Sequence, residues 1–273
     1  MLIIGHRGCR GLLPENSIAS FLEAIRLGVN AIEFDIVISK DNKVVVSHEP
    51  FISKTYCLKP DGSELRLEED KKFNLYKMSY DQIKKFDSGL KSHPRFPLQK
   101  NQKSYKPLLI DVIESCEKFL KEKAINEVTY IIEIKSNPKY YNEYYPEPSN
   151  YIKLVLDSIS LYNFKNDRII LKSFDVAILN EIKRQSPKTK ISLLVNTDEN
   201  ISDKLLQLNF KPEFLGPYFK LLTKEKVSKY QKLGFKIFTW TVNKIFDIEL
   251  MANYNVDGVI TDYPDRCLFI NTK

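Results

Sequence analysis

The chain has 273 residues, 43% of them hydrophobic, enough to bury a full core; α/β barrels commonly spend this length on one domain. A formal net charge of +7 favours phosphate-bearing or membrane-surface partners and has no bearing on the fold. No run approaches the ~18 uncharged apolar residues of a membrane span, no signal-peptide pattern opens the chain, and the dispersed lysines include no nucleic-acid motif. The expectation is a cytoplasmic protein whose surplus charge allows transient membrane-surface contact. Cys9, Cys57, Cys116 and Cys267 form no CxxC and are read as isolated reduced thiols.

Leu2-Ile3-Ile4 predicts a core strand that runs into Gly5-His6-Arg7-Gly8. Ile18, Phe21, Leu22 and Ile25 then recur on one face of a helix. Asn16 or Ser17 is its N-cap, and Gly28 its stop. Residues 31–38 form a β-branched strand carrying Glu33 and Asp35. Asp41-Asn42 turns the chain, and Val44-Val45-Val46 runs to Ser47-His48. Residues 50–106 break the rhythm, with turn signals at Pro60-Asp61-Gly62 and His93-Pro94 and one short helix at 78–83. A loop this long inside a compact domain is functional or a small subdomain. His93, beside Pro94, is read as surface or loop structure. Alternation resumes with helices at 108–123, 151–161, 176–184, 202–208, 223–233 and 245–253. The strands between them begin at Tyr130, Arg168, Lys190, Glu213, Lys236 and Gly258.

Strict βα alternation implies a parallel sheet with helical crossovers. Eight such units favour closure, giving an α/β fold, a (β/α)8 TIM barrel with an insertion after strand 2. Residues 1–273 form a single domain, with 50–106 as an insertion near the mouth of the site. In such barrels the site lies at the carboxyl ends of the strands. His6, Glu33, Asp35, Glu133, Lys135 and Trp240 all fall there.

Glu33 and Asp35 are two apart on a strand and so share a face. Two carboxylates on a barrel's inward face are costly unless a cation meets them. Glu133, within Ile-Ile-Glu-Ile, repeats the anomaly on the next strand. Three convergent oxygen ligands suit a hard divalent cation, Mg2+ or Ca2+; ion pairs with Arg7, Lys135 or other cations are the plainer alternative. His6 and His48 form a proton-transfer pair, since histidine titrates near working pH. Arg7 and Lys135 supply positive charge for a phosphoryl group. Trp240, the single tryptophan, is an apolar wall for a ligand's carbon skeleton or core packing at the barrel end. Lys172, at the end of its strand, is less favoured to face the same space.

These segments resemble the glycerophosphodiester phosphodiesterase family. They are Gly5-His6-Arg7-Gly8, Pro14-Glu15-Asn16-Ser17, Glu33-Phe34-Asp35 and the histidine after 44–47. Glu133-Ile134-Lys135, Ser173-Phe174-Asp175, Thr239 to Asn243 and Gly258 to Asp262 follow in family order. The resemblance implies divalent-metal-dependent hydrolysis of small-molecule glycerophosphodiesters to an alcohol and sn-glycerol 3-phosphate. It carries metal ligation to Glu33, Asp35 and Glu133, catalysis to His6 and His48, and phosphate contact to Arg7 and Lys135. Glu49 follows His48 where the family usually has aspartate. The alternatives are lysophospholipase D-like hydrolysis, with Tyr140-Tyr141 and Tyr144-Tyr145 lining an acyl entrance, and a phosphate-ligand-binding barrel without turnover.

Overall fold

A computed structural model describes residues 1–162 and 168–267. Eight parallel strands close on themselves: β1 (Leu2–His6), β2 (Ala31–Ile38), β4 (Thr129–Ile134), β5 (Ile169–Ser173), β6 (Lys190–Val195), β7 (Phe214–Pro217), β8 (Lys236–Thr239) and β9 (Gly258–Thr261). The pairing of β1 with β2 completes the ring. The helices between them are α1 (Ile18–Arg26), α3 (Leu109–Lys123), α4 (Pro148–Ser160), α5 (Val176–Gln185), α6 (Ile201–Leu205), α7 (Lys224–Lys232) and α8 (Ile245–Asn253). This is the expected (β/α)8 barrel. Among the described residues no helix is long and apolar enough to cross a membrane.

The first unit shows how local chemistry sets its bounds. Ser17 has extended backbone, and its side chain accepts from the Ser20 amide, so it is the N-cap of α1. Phe21, Ala24 and Ile25 face the core, and Gly28 at φ +83° ends the helix. Gly8, at φ +87°, lies so close to α1 that a Cβ there would sit 2.4 Å from Ser20 Oγ. Only glycine fits both the left-handed backbone and that approach.

Strand alternation divides the core in two. Ile4, Ala31, Ile131, Ile170, Phe214, Phe238 and Ile260 fill the barrel lumen, with Trp240 packed against them. The alternate residues, Ile3, Ile32, Phe34 and Ile132 among them, pack beneath the helices. Ala31 points inward, so Glu33 and Asp35 do too, stacked above the apolar plug. All four cysteines are buried and unpaired.

One strand lies outside the ring. Asn42, at φ +59°, reverses the chain after β2, and β3 (Val44–Val46) pairs antiparallel with β2 from Ile36↔Val46 to Ile38↔Val44. The run 44–46, expected only as an apolar lead into His48, is therefore a ladder strand. It takes the edge of β2 that β1 vacates, because β1 stops at His6↔Glu33. Residues 50–106 add two 3-10 turns and the short helix α2 (Tyr80–Ile83). Ile52, Tyr56, Cys57, Leu75, Ile83 and Phe86 of this segment share one continuous core with the barrel helices.

Candidate active site

β1 and β3 approach each other along one edge of β2, so their ends deliver His6 and His48 to either side of the Glu33–Asp35 pair. His6 is in register with Glu33, and the Ser47 amide donates to the Asp35 carbonyl at 2.9 Å. Across β2, β4 and β5 the register aligns Asp35 with Glu133 and Glu133 with Lys172. The topology thus builds one polar layer from residues far apart in sequence.

Each histidine has a carboxylate on Nδ1. His6 Nδ1 lies 2.6 Å from Asp262 Oδ1, and His48 Nδ1 lies 2.9 Å from Glu49 Oε1. Burial alone would raise the Asp262 carboxyl, but His6 and Arg10 outweigh it and hold the group well below the usual carboxylate range. Glu49 is likewise depressed against burial, chiefly by His48. Ionised carboxylates accept, so Nδ1 of each ring carries a proton, and Nε2, with or without a second one, is left for a ligand. Burial, then Arg10, lowers the pKa of His6 below its ordinary 6.5, which keeps the ring neutral near pH 7. Tyr56 donates to Glu49 Oε2 at 2.5 Å, and Lys106 donates to both Ser47 Oγ and the Tyr56 hydroxyl, so the insertion buttresses His48.

One oxygen from each of Glu33, Asp35 and Glu133 falls within 4.8 Å of the others, and all three residues are buried. Cations face every member of the group. Arg7 Nε is 3.1 Å from Asp35 Oδ2, Lys135 Nζ is 2.6 Å from Glu133 Oε1, and Lys172 Nζ is 2.7 Å from Glu33 Oε1 and 3.5 Å from Glu133 Oε2. Glu33 Oε1 has that ion-pair neighbour but makes no hydrogen bond of good geometry. A buried carboxylate oxygen left this way, converging with two others, fits a divalent cation.

The expected residues therefore meet: His6, His48, Arg7, Glu133, Lys135 and Trp240 line one cavity of about 270 Å3, with Glu33 and Asp35 buried at its base. Phe174 stands edge-on to Trp240, with ring centroids 5.5 Å apart. Tyr140, Tyr141, Tyr144 and Tyr145 do not line it. Lys172, not favoured from sequence, is central; its register beside Glu133 was the missing information. Other partners carry no assigned role from sequence, although Glu15 and Asp262 lie within the family-like segments. Arg10 grips Asp262 through Nε and Nη2, and Glu15 accepts from Arg7 Nη1 at 2.8 Å. His93 is in a loop as expected but is buried, stacked on Tyr56 at 5.7 Å, because the insertion folds onto the rim.

The depressed carboxyls make a testable statement about acid stability. In Glu15 and Asp35, too, burial is outweighed, chiefly by Arg7. Such groups stabilise the fold fully above their unfolded values near ~4, and the contribution is lost as pH falls toward the folded values. His6, held neutral, acts in the same direction: its contribution declines as pH falls below 6.5. Urea midpoints at pH 8, 5 and 3 are expected to fall slightly and then steeply, and Asp262→Asn to shrink the second step. A level wild-type midpoint between pH 5 and 3 would contradict this.

Joined to the barrel, this rim defines a phosphoric diester hydrolase. The model of the Glycerophosphoryl diester phosphodiesterase family matches residues 6–266, and the chain belongs to that family. It is 32% identical to a glycerophosphodiester phosphodiesterase of Caldanaerobacter subterraneus subsp. tengcongensis, over 100% of this chain and 98% of the relative. A solved structure of a putative glycerophosphoryl diester phosphodiesterase from Silicibacter pomeroyi superposes with a TM-score of 0.87 at 28% identity, covering 100% of this chain and 94% of that one. An Oleispira antarctica phosphodiesterase in complex with the product sn-glycerol-3-phosphate shares the fold, with a TM-score of 0.77 at 20% identity and coverage of 100% and 97%.

Proposed function

We propose that the protein hydrolyses glycerophosphodiesters to an alcohol and sn-glycerol 3-phosphate, with His6 as general base and His48 as general acid. A divalent cation, Mg2+ or Ca2+, held by Glu33, Asp35 and Glu133, would neutralise charge on the phosphoryl oxygens. Arg7 and Lys135 grip the same group; Arg7 Nη2 makes no hydrogen bond among the described residues and is the donor left to do so. His6 Nε2 takes the proton of the attacking oxygen, water or a substrate hydroxyl. A bond forms from that oxygen to phosphorus as the bond to the alcohol oxygen breaks, and the His48 Nε2 proton passes to the alcohol oxygen. A substrate hydroxyl as nucleophile leaves a cyclic glycerophosphate, which water then opens to sn-glycerol 3-phosphate. Trp240 and Phe174 provide the wall for the glycerol carbons.

The observation that supports this reading most is the placement of the two histidines, on one edge of β2 astride the acidic group, each with Nδ1 occupied by a carboxylate. Incubation with glycerophosphocholine and either cation should release choline and sn-glycerol 3-phosphate together. Phosphocholine and glycerol as products would place the broken bond on the other side of phosphorus and refute the assignment.

A further inference from the structure

Five cations other than histidine line the catalytic cavity: Arg7, Arg10, Arg95, Lys135 and Lys172. Four of them meet carboxylates at 3.1 Å or less, in Glu15, Glu33, Asp35, Glu133 and Asp262. Arg95, from the insertion, meets none among the described residues. Its guanidinium carbon lies 5.7 Å from the centre of the Phe96 ring, and that of Arg10 lies 4.7 Å from the same ring.

An exposed arginine is ordinarily a solvated surface charge, but this one has a fixed base. The Arg95 amide donates to His93 Nδ1 at 3.2 Å, and the Phe96 amide donates to the His93 carbonyl at 2.9 Å. His93 and Phe96 are both buried, their rings 4.8 Å apart. Four residues on, Gln99 Nε2 donates to the carbonyls of Arg10 and Leu13 at 2.6 and 3.1 Å, which ties this turn to the loop after β1. The insertion thus holds a cation with no acid partner at the mouth of the site.

Resting on the hydrolysis proposed above, we infer that Arg95 is a specificity-determining residue that reads a second negative charge, carried by the alcohol. The favoured substrates are glycerophosphodiesters whose alcohol bears a further phosphate or phosphodiester. Charge on the reacting phosphoryl is met by Arg7 and Lys135. Glycerol is neutral, and Phe174, Leu194 and Trp240, which also line the cavity, offer an anion no charged partner. The anion that complements Arg95 therefore belongs to the alcohol, where an arginine can grip two phosphate oxygens. For a cationic alcohol, the acid among the described residues lining the cavity is Glu133, already paired with Lys135 and Lys172, and the Phe96 ring beside Arg95 already has two guanidinium groups over it.

The test compares kcat/KM for bis(glycerophospho)glycerol and glycerophosphoglycerol, which differ by that one extra phosphodiester. The ratio, halved because the first offers two equivalent reacting groups, is internal to each variant and insensitive to its active fraction. A ratio of about 10 is expected for wild type at low salt, from one charge-assisted contact, and it should fall as salt screens the pair. Arg95→Gln should bring it to about 1, and Arg95→Glu below that. A ratio unchanged by Arg95→Gln overturns the inference, as would follow if Arg95 gripped the reacting phosphoryl instead. Turnover of glycerophosphoglycerol with a wild-type ratio near 1 overturns it alone. Absence of turnover on both overturns the proposed hydrolysis and this inference together.

Discussion

Replacing His6 with alanine is expected to lower kcat on glycerophosphocholine by about 10²–10⁴-fold, the usual contribution of a positioned proton carrier. The fold should survive, because Asp262 keeps other partners: Arg10 Nε and Nη2, and Asn243 Nδ2 at 2.7 Å. His48→Ala should cost a similar factor. The double variant should cost little more than either single one, since a base and an acid that serve one proton path act as a unit. Kinetics read alongside urea midpoints check both halves of the statement. A His6→Ala enzyme within about tenfold of wild type would remove His6 from the proton path.

The largest expected effect on stability belongs to Lys172→Met. The lysine is buried among the Glu33 and Glu133 carboxylates, and the pull of both keeps its ammonium charged despite burial. Without it, in chelator, two acids stay buried with Glu33 unpaired, a loss of about 3–5 kcal/mol. A divalent cation bound by Glu33, Asp35 and Glu133 would supply the missing charge. Such a ligand adds about 2.7 kcal/mol at a concentration 100 times its Kd. Thermal melts with and without Mg2+ or Ca2+ should therefore show a larger rise in Tm for Lys172→Met than for wild type, in which the lysine competes for the same oxygens. No shift in either protein would mean the acidic group is an ion-pair network and nothing more, and equal shifts would place the bound cation away from the oxygens that Lys172 meets.

What could be read in advance was whatever depends on local pattern. Most of the ring strands carry β-branched residues, β7 (Phe214–Pro217) being the exception, and α1 announces itself by periodicity between Ser17 and Gly28. The inward acids Glu33, Asp35 and Glu133 stand out because polar residues at lumen positions break an apolar rule. Long-range register was out of reach. Val44–Val46 is too short to be told from an apolar lead-in, and becomes a strand only because β1 ends at His6 and leaves an edge of β2 open. A lysine at a strand end can extend to water or fold inward, and Lys172 is decided by the acids on β2 and β4. Asp262 meets His6 across 256 residues, a contact that only ring closure brings about. Arg95 and His93 carried no local signal, because their meaning comes from the rim beneath the insertion. Glu49, one methylene longer than the family's usual aspartate, still reaches Nδ1 of its own neighbour, with Tyr56 holding its far oxygen.

The most direct test is sn-glycerol 3-phosphate release from glycerophosphoethanolamine by protein stripped with chelator, before and after Mg2+ or Ca2+ is restored. The proposed chemistry predicts release only after restoration, and none from Glu33→Gln at any cation concentration. Full turnover by the stripped protein, or by Glu33→Gln, would contradict it.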